Sequence, residues 1–177
     1  MKLEKYKQES VAGRPLFVVI AWMLASRVFF ETFIPWPSKC KVGILIFFGA
    51  RLGHSIVIKP NVKIKYPWKL AIGSNSWIGE FVWIDNLSDV RVGENCCISQ
   101  NSFLLTGNHN YKKDSFDLIL GDISIHDGSW VGAKSIVCPN TIMRKGTILS
   151  VGSVLTTNTI ENSVYQGNPA IYKRDRY

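Results

Sequence analysis

Between Ile125 and Leu155 an aliphatic or methionine side chain falls at every sixth residue: Ile125, Val131, Val137, Met143, Leu149 and Leu155. Two positions before each later member stands a small hydroxyl residue, giving the series Ser129, Ser135, Thr141, Thr147 and Ser153. A strand alternates every two residues and a helix repeats every 3.6, so neither produces this period. Each six-residue unit must instead turn a corner and return one apolar side chain to a common interior. Chains of that kind form flat coils that stack into an all-β solenoid around a continuous apolar column.

The rhythm extends upstream. It runs Leu52, Ile58, Ile64, Leu70, slips by two residues to Ile72, Ile78, Ile84, Val90, and slips again to Val92, Ile98, Leu104. Small insertions at corners account for the slips and leave the column intact. Between Leu104 and Ile125 the rhythm is lost, so Gly107 to Asp122, GNHNYKKDSFDLILGD, is expected to project as a loop. Long loops within a regular repeat are where function is usually placed. After Leu155 the repeat stops. Gly167 to Pro169 is expected to turn, and a short basic tail to cap the open end of the solenoid. The expected division is an apolar, helical N-terminal extension over 1–43, the coils over 44–160, and a cap and tail over 161–177.

Leu16 to Ile34, LFVVIAWMLASRVFFETFI, raises a membrane question. It carries Arg27 and Glu31 in its second half, and a central charge disfavours a bilayer-spanning helix. An amphipathic helix that packs on the first coil or lies on a membrane surface fits better, with Arg27 and Glu31 paired four residues apart and Pro35 and Pro37 ending it. Ile44 to Ala50 is a second apolar run leading into the coils.

At 177 residues the chain suits one domain with a real core, and its formal charge of +8 invites acidic partners. Thr32 to Gly79 contains Lys39, Lys41, Arg51, Lys59, Lys63, Lys65 and Lys69 with no Asp or Glu, a stretch that suits phosphate, pyrophosphate or an anionic membrane as well as plain solvation. Nucleic acid is not an expected partner, since the charge accompanies no recognised module. Cys40, Cys96, Cys97 and Cys138 show no CxxC spacing and read as reduced packing thiols in a cytoplasmic protein. No cleavable secretory signal is convincing.

The chain has three histidines. His54 and His126 sit at corners and read as structural, whereas His109 opens the projecting loop between Asn108 and Asn110. A neutral imidazole is the usual general base toward a hydroxyl, although a lone loop histidine is more often a plain surface residue.

The repeats, LLTGNHNY, WVGAKSIVCPNTI and the GNPA turn together resemble the hexapeptide O-acetyltransferases, the group of the maltose and galactoside acetyltransferases. KIKYPWKLAIGSNSWIGE and WIDNLSDVRVGENCCISQNSFLLTGNHNY are more similar to the colanic acid biosynthesis acetyltransferases. The resemblance covers roughly residues 45 to 175. It implies a left-handed parallel β-helix, assembled as a homotrimer with sites between subunits, acetyl-coenzyme A as donor, and no metal. It places the catalytic base at His109, although relatives more often surround this histidine with a serine-aspartate pattern than with Asn108 and Asn110. It implies that Asn86 binds the acceptor, with Asp85 beside it orienting His109 or holding a sugar hydroxyl; both also suit the left-handed backbone of a corner. Gly132, Ala133, Val151, Gly152 and Thr156 match the positions along the pantetheine arm, where close approach of a ligand favours little bulk. Lys173 and Arg174 match the residues that meet the nucleotide phosphates. Trp83 and Trp130 offer aromatic platforms or are packing.

The activity so implied is direct transfer of an acetyl group to a sugar hydroxyl in bacterial polysaccharide biosynthesis, the acceptor being a sugar or lipid-linked saccharide. The site would lie in the cytoplasm, at the inner face of the membrane if residues 16–34 touch it. Two other readings stand beside it: a non-enzymatic membrane-surface scaffold, and acetylation of a small free sugar or xenobiotic. A zinc-dependent carbonic anhydrase of the same architecture lacks the closely spaced histidine pair it would need.

Overall fold

The computed structural model describes residues 1–7 and 10–177. Three parallel sheets form the sides of a prism, and each coil contributes one short strand to each. The first sheet stacks Arg51–Leu52, Leu70–Ile72, Val90–Val92, Ile123–Ile125 and Thr141–Met143. The second stacks Val57–Ile58, Trp77–Ile78, Cys97–Ile98, Trp130–Val131 and Ile148–Leu149 and continues into the C-terminal hairpin. The third stacks Lys63–Ile64, Trp83–Asp85, Phe103–Leu105, Ile136–Val137 and Val154–Leu155. Register places Ile58 beside Ile78, Ile78 beside Ile98, Ile98 beside Val131 and Val131 beside Leu149. The sixfold series is therefore the buried column, and only Leu52, on the first coil, stays partly open.

The in-phase hydroxyl residues are buried as well and satisfy carbonyls that the corners leave unpaired. Ser129 Oγ donates to the Arg144 carbonyl at 3.0 Å, Ser135 to Ser150 at 2.9 Å and Thr147 to Ile160 at 3.0 Å. Many corners take left-handed backbone, at Asn61, Asn75, Asn95, Asn101, Asn140 and Asn162. Asparagine adopts that region more readily than most residues, which keeps the coils flat.

The N-terminal extension holds two helices rather than one: α1 (Leu16–Phe29) and α2 (Ser38–Phe47). Helix α1 stops short of Ile34, and Glu31 accepts a hydrogen bond from Ser26 Oγ at 2.9 Å, so the expected Arg27–Glu31 ion pair does not form. Helix α1 ends at Phe29, before the prolines expected to end it, and Pro37 instead caps α2, which takes in much of the apolar run from Ile44. A boundary at residue 43 falls inside α2. The run was ambiguous in sequence because periodicity cannot separate a short buried helix from a strand.

Both helices close the first coil. Trp22 of α1 packs edge-on against Phe30 and Phe48 and donates Nε1–H to the Ile64 carbonyl at 3.0 Å. From α2, Lys41 is 0 % exposed, and its ammonium donates to the carbonyls of Ile58 at 3.2 Å and Lys59 at 2.9 Å. Burial, aided by the nearby Lys59 charge, pushes the Lys41 pKa down. The Lys69 ammonium is likewise spent on the carbonyls of Val11 and Leu87, both at 2.6 Å. The basic stretch is therefore not one continuous patch.

At the other end, Ser163–Gly167 and Ala170–Asp175 form an antiparallel hairpin that turns at the expected residues. Its first strand joins the second sheet through Val164 and Tyr165.

Candidate active site

The segment that breaks the rhythm is a hairpin in which Gly107–His109 pairs antiparallel with Leu118–Leu120. It leaves the prism at the corner between the third and first sheets and returns at Asp122, whose carboxylate binds the Ser88 hydroxyl and lies 3.2 Å from Arg91. The Ser88 hydrogen bond, followed by that of Arg91, holds the Asp122 carboxyl below its ordinary range despite partial desolvation.

His109 ends the outgoing strand. Its ring lies parallel to that of Phe116, centroids 4.3 Å apart, and Tyr6 meets it edge-on at 5.5 Å. Nδ1 lies 2.9 Å from the Phe116 carbonyl oxygen. A carbonyl only accepts, so Nδ1 carries the hydrogen and the neutral ring keeps its lone pair on Nε2. The group that orients the imidazole is thus a main-chain carbonyl, and neither neighbouring asparagine is needed for it. Phe116 itself has φ +50°, a left-handed conformation that is costly for a bulky residue and sets that carbonyl and ring against the imidazole. Nothing in the sequence marked Phe116, because its role depends on a turn that the repeat does not specify.

His109 lines a cleft of about 530 Å³ with Tyr6, Arg14, Lys65, Tyr66, Leu87 and Leu118. An adjoining cleft of about 280 Å³ is lined by Trp83, Asp85, Trp22, Arg27 and Lys63, and shares Val19, Lys65 and Tyr66 with the first. Trp83 and Asp85 are thus brought next to the histidine's cleft. The Asp85 Oδ1 is buried 3.1 Å from the Lys65 ammonium, with which it forms an ion pair. Trp83 stacks on Phe103 with centroids 4.6 Å apart, and the Lys63 ammonium lies over the Trp83 ring at 5.7 Å from its centre.

Asn86 is placed differently. It is 0 % exposed, and its amide bonds the backbone of Lys65 and Tyr66. Neither Asp85 nor Asn86 takes the left-handed backbone that a corner would explain. His54 and His126 are exposed at corners of the coils.

Gly132, Ala133 and Val151 line a groove of about 520 Å³ together with Trp130, Ser99, Gln100 and Gln166. Gly152, Thr156, Lys173 and Arg174 do not line that groove; all four are exposed nearby on the last coil or the C-terminal hairpin. A Cβ on Gly132 would meet the Leu149 carbonyl oxygen at 2.6 Å, so its small size serves coil stacking rather than a ligand. Gly152 has φ +67° with open space around it and is a glycine for its backbone. Gln100 and Gln166 carried no sequence signal, since they reach the groove from another coil and from the hairpin. Among the described residues no cluster of three or more His, Cys, Asp or Glu is placed to hold a metal ion.

No protein-family model matches the chain. It is 31% identical over 168 residues to an Escherichia coli K12 protein that carries the provisional name colanic acid biosynthesis acetyltransferase WcaF, covering 93% of this chain and 90% of that one. Among solved structures, a hexapeptide-repeat acetyltransferase from Vibrio cholerae O1 biovar eltor, complexed with acetyl-coenzyme A, superposes with a TM-score of 0.83 over 98% of this chain and 95% of that one, at 15% identity. A galactoside acetyltransferase in complex with coenzyme A gives 0.81 over 91% of this chain and 82% of that one, at 18% identity. The coil architecture agrees with both solved structures, the WcaF match spans nearly the whole of each sequence, and the chain belongs to the hexapeptide-repeat acetyltransferases, in the family of that colanic acid biosynthesis protein.

Proposed function

We propose that the protein transfers an acetyl group from acetyl-coenzyme A to a sugar hydroxyl during bacterial polysaccharide assembly, with His109 as general base. The observation that carries this reading is the Nδ1–Phe116 bond, which commits one ring nitrogen to the backbone and leaves the Nε2 lone pair free on a residue that lines a cleft. Nε2 takes the acceptor hydroxyl proton as that oxygen bonds to the thioester carbonyl carbon; the carbon–sulfur bond then breaks and the thiolate recovers a proton. No covalent enzyme intermediate is needed. Asp85 and Trp83 would hold the sugar from the adjoining cleft that both line.

The groove at Trp130, Gly132, Ala133 and Val151 has room for an extended pantetheine arm, with Gly152 and Thr156 further along it and Lys173 and Arg174 available to the phosphates. This groove lies at the corner between the second and third sheets, while His109 leaves the corner between the third and first. Base and donor groove thus occupy different corners of one protomer. A homotrimer that sets one subunit's hairpin against the next subunit's groove would complete the site. A position at the inner face of the cytoplasmic membrane goes with a lipid-linked acceptor.

The test is release of coenzyme A from acetyl-coenzyme A against sugar nucleotides, lipid-linked oligosaccharides and free sugars. Turnover with a saccharide acceptor, greatest for lipid-linked ones, is the expected result. Absence of release with every saccharide would overturn the reading.

A further inference from the structure

Helix α1 presents an apolar face that the described residues do not cover. Trp22 and Ser26 are buried against the coils, which fixes the helix's rotation. The opposite side carries Leu16, Phe17, Ile20, Met23, Leu24 and Val28, all exposed, with Phe17 at 73 % and Leu24 at 66 %. At about 100° per residue these positions and Ala21 span an arc of roughly 160°, interrupted by a single charge, Arg27. Beyond the helix, Phe33 and Phe47 are exposed at 81 % and 83 %. Isolated exposed apolar residues are ordinary, but a contiguous helical arc of this size marks a contact surface.

The charge around it identifies the contact. From Gly13 to Gly79 the chain has nine basic residues and one acid, Glu31; Lys41 and Lys69 are spent on backbone carbonyls and Lys65 on Asp85, which leaves Arg14, Arg27, Lys39, Arg51, Lys59 and Lys63. Arg14 and Lys39 begin or precede the two helices, and both are exposed, as is Arg27. A second copy pressed onto this face would bring like charge to like charge, whereas an anionic lipid surface gains from each basic residue. With 14 residues, α1 is about 21 Å long, shorter than a hydrocarbon core of roughly 30 Å, and among the described residues no helix is long and apolar enough to cross a membrane. An apolar arc with a basic surround on a short helix suits lying in the plane of the headgroups, with Arg27 extending its alkyl stem along the apolar face and its guanidinium to the phosphates.

We infer that α1 is an interfacial membrane helix that docks this protein on an anionic phospholipid surface. The contact involves neither His109 nor the donor groove, so it is read without turnover, and its failure would leave the proposed chemistry standing. The full-length protein is sedimented with vesicles of phosphatidylcholine alone or mixed with phosphatidylglycerol. Binding to the mixed vesicles should exceed binding to the neutral ones by at least about tenfold and fade at high salt. The double variant Phe17→Glu/Leu24→Glu, altered at exposed positions only, should lose binding by at least about tenfold while keeping its circular dichroism and melting curve. In the same sedimentation, Arg14→Glu/Lys39→Glu, which leaves the apolar arc untouched, should lose the preference for anionic lipid and keep its binding to neutral vesicles. No binding to either vesicle, or undiminished binding by the first double variant, overturns the inference. So does a concentration-dependent rise in sedimentation coefficient that the first variant abolishes without any vesicle binding, which would assign the face to a second copy.

Discussion

The side chain of Asn86 closes a ring with the backbone of Tyr66: its Nδ2 donates to the Tyr66 carbonyl at 2.6 Å, and its Oδ1 accepts from the Tyr66 N–H at 3.0 Å. Oδ1 also accepts from the Lys65 N–H at 3.1 Å. One buried amide therefore shapes the strip of chain, Lys65 and Tyr66, that divides the two clefts at the candidate active site. Asn86→Ala leaves these backbone groups without partners, and the expected loss is about 1–3 kcal/mol of stability. Denaturant melts would show a lowered midpoint. A raised KM for the acceptor at unchanged stability would instead place Asn86 in direct contact with substrate.

The role proposed for His109 is separable from the fold, since the residue stands on a hairpin outside the buried column. His109→Ala should lower kcat by about 10²- to 10⁴-fold. The thermal midpoint should move by no more than about 2 °C, because little buried surface is removed. Thioester cleavage followed at saturating acceptor, alongside a melting curve, checks both.

Phe116 holds the His109 imidazole through its carbonyl and its ring. Phe116→Gly keeps the carbonyl and relieves the left-handed backbone but removes the stacked ring, so kcat should fall by about tenfold to a hundredfold. The KM for acetyl-coenzyme A should hold, and the melting temperature should hold or rise. A lowered melting temperature with unchanged kcat would show the residue to be structural alone.

Lys41 predicts an alkaline signature. Its folded pKa is lowered from the ordinary 10.5 by burial first and by Lys59 second. Between the lowered value and 10.5 the unfolded chain binds the proton more tightly, so this residue's contribution to stability rises with pH across that window. Lys41→Met lacks the rise. Chemical denaturation of both proteins at a series of alkaline pH values should show the wild type gaining on the variant as pH increases.

The cysteines should react in order of burial. Cys40 is exposed on α2, while burial pushes the Cys96 thiol up to about 11 and raises the Cys138 thiol as well. A thiol reagent near neutral pH should modify Cys40 first and Cys96 only on unfolding, since the thiolate is the reacting form. Peptide mapping after timed quenching reads the order directly.

The sixfold positions determined the coils on their own, because a period that matches neither strand nor helix admits few ways of burying its apolar residues. Their in-phase serines and threonines, the hairpin at 107–122 as an interruption, and the turn at 167–169 followed from the same pattern. His109 was legible as a candidate because a histidine opens that interruption. What only the tertiary structure decided were contacts between residues far apart in sequence. The second helix hid in an apolar run that periodicity cannot classify, and Lys41 read as surface charge until α2 laid it over the carbonyls of Ile58 and Lys59. The closure of the Asn86 amide on the Tyr66 backbone is a contact of the same kind. The imidazole's partner is a backbone carbonyl, a group every residue carries, so no side-chain letter announces it. A repeat records what each coil does to the next, whereas the site depends on where the chain leaves the repeat, and that is settled by packing.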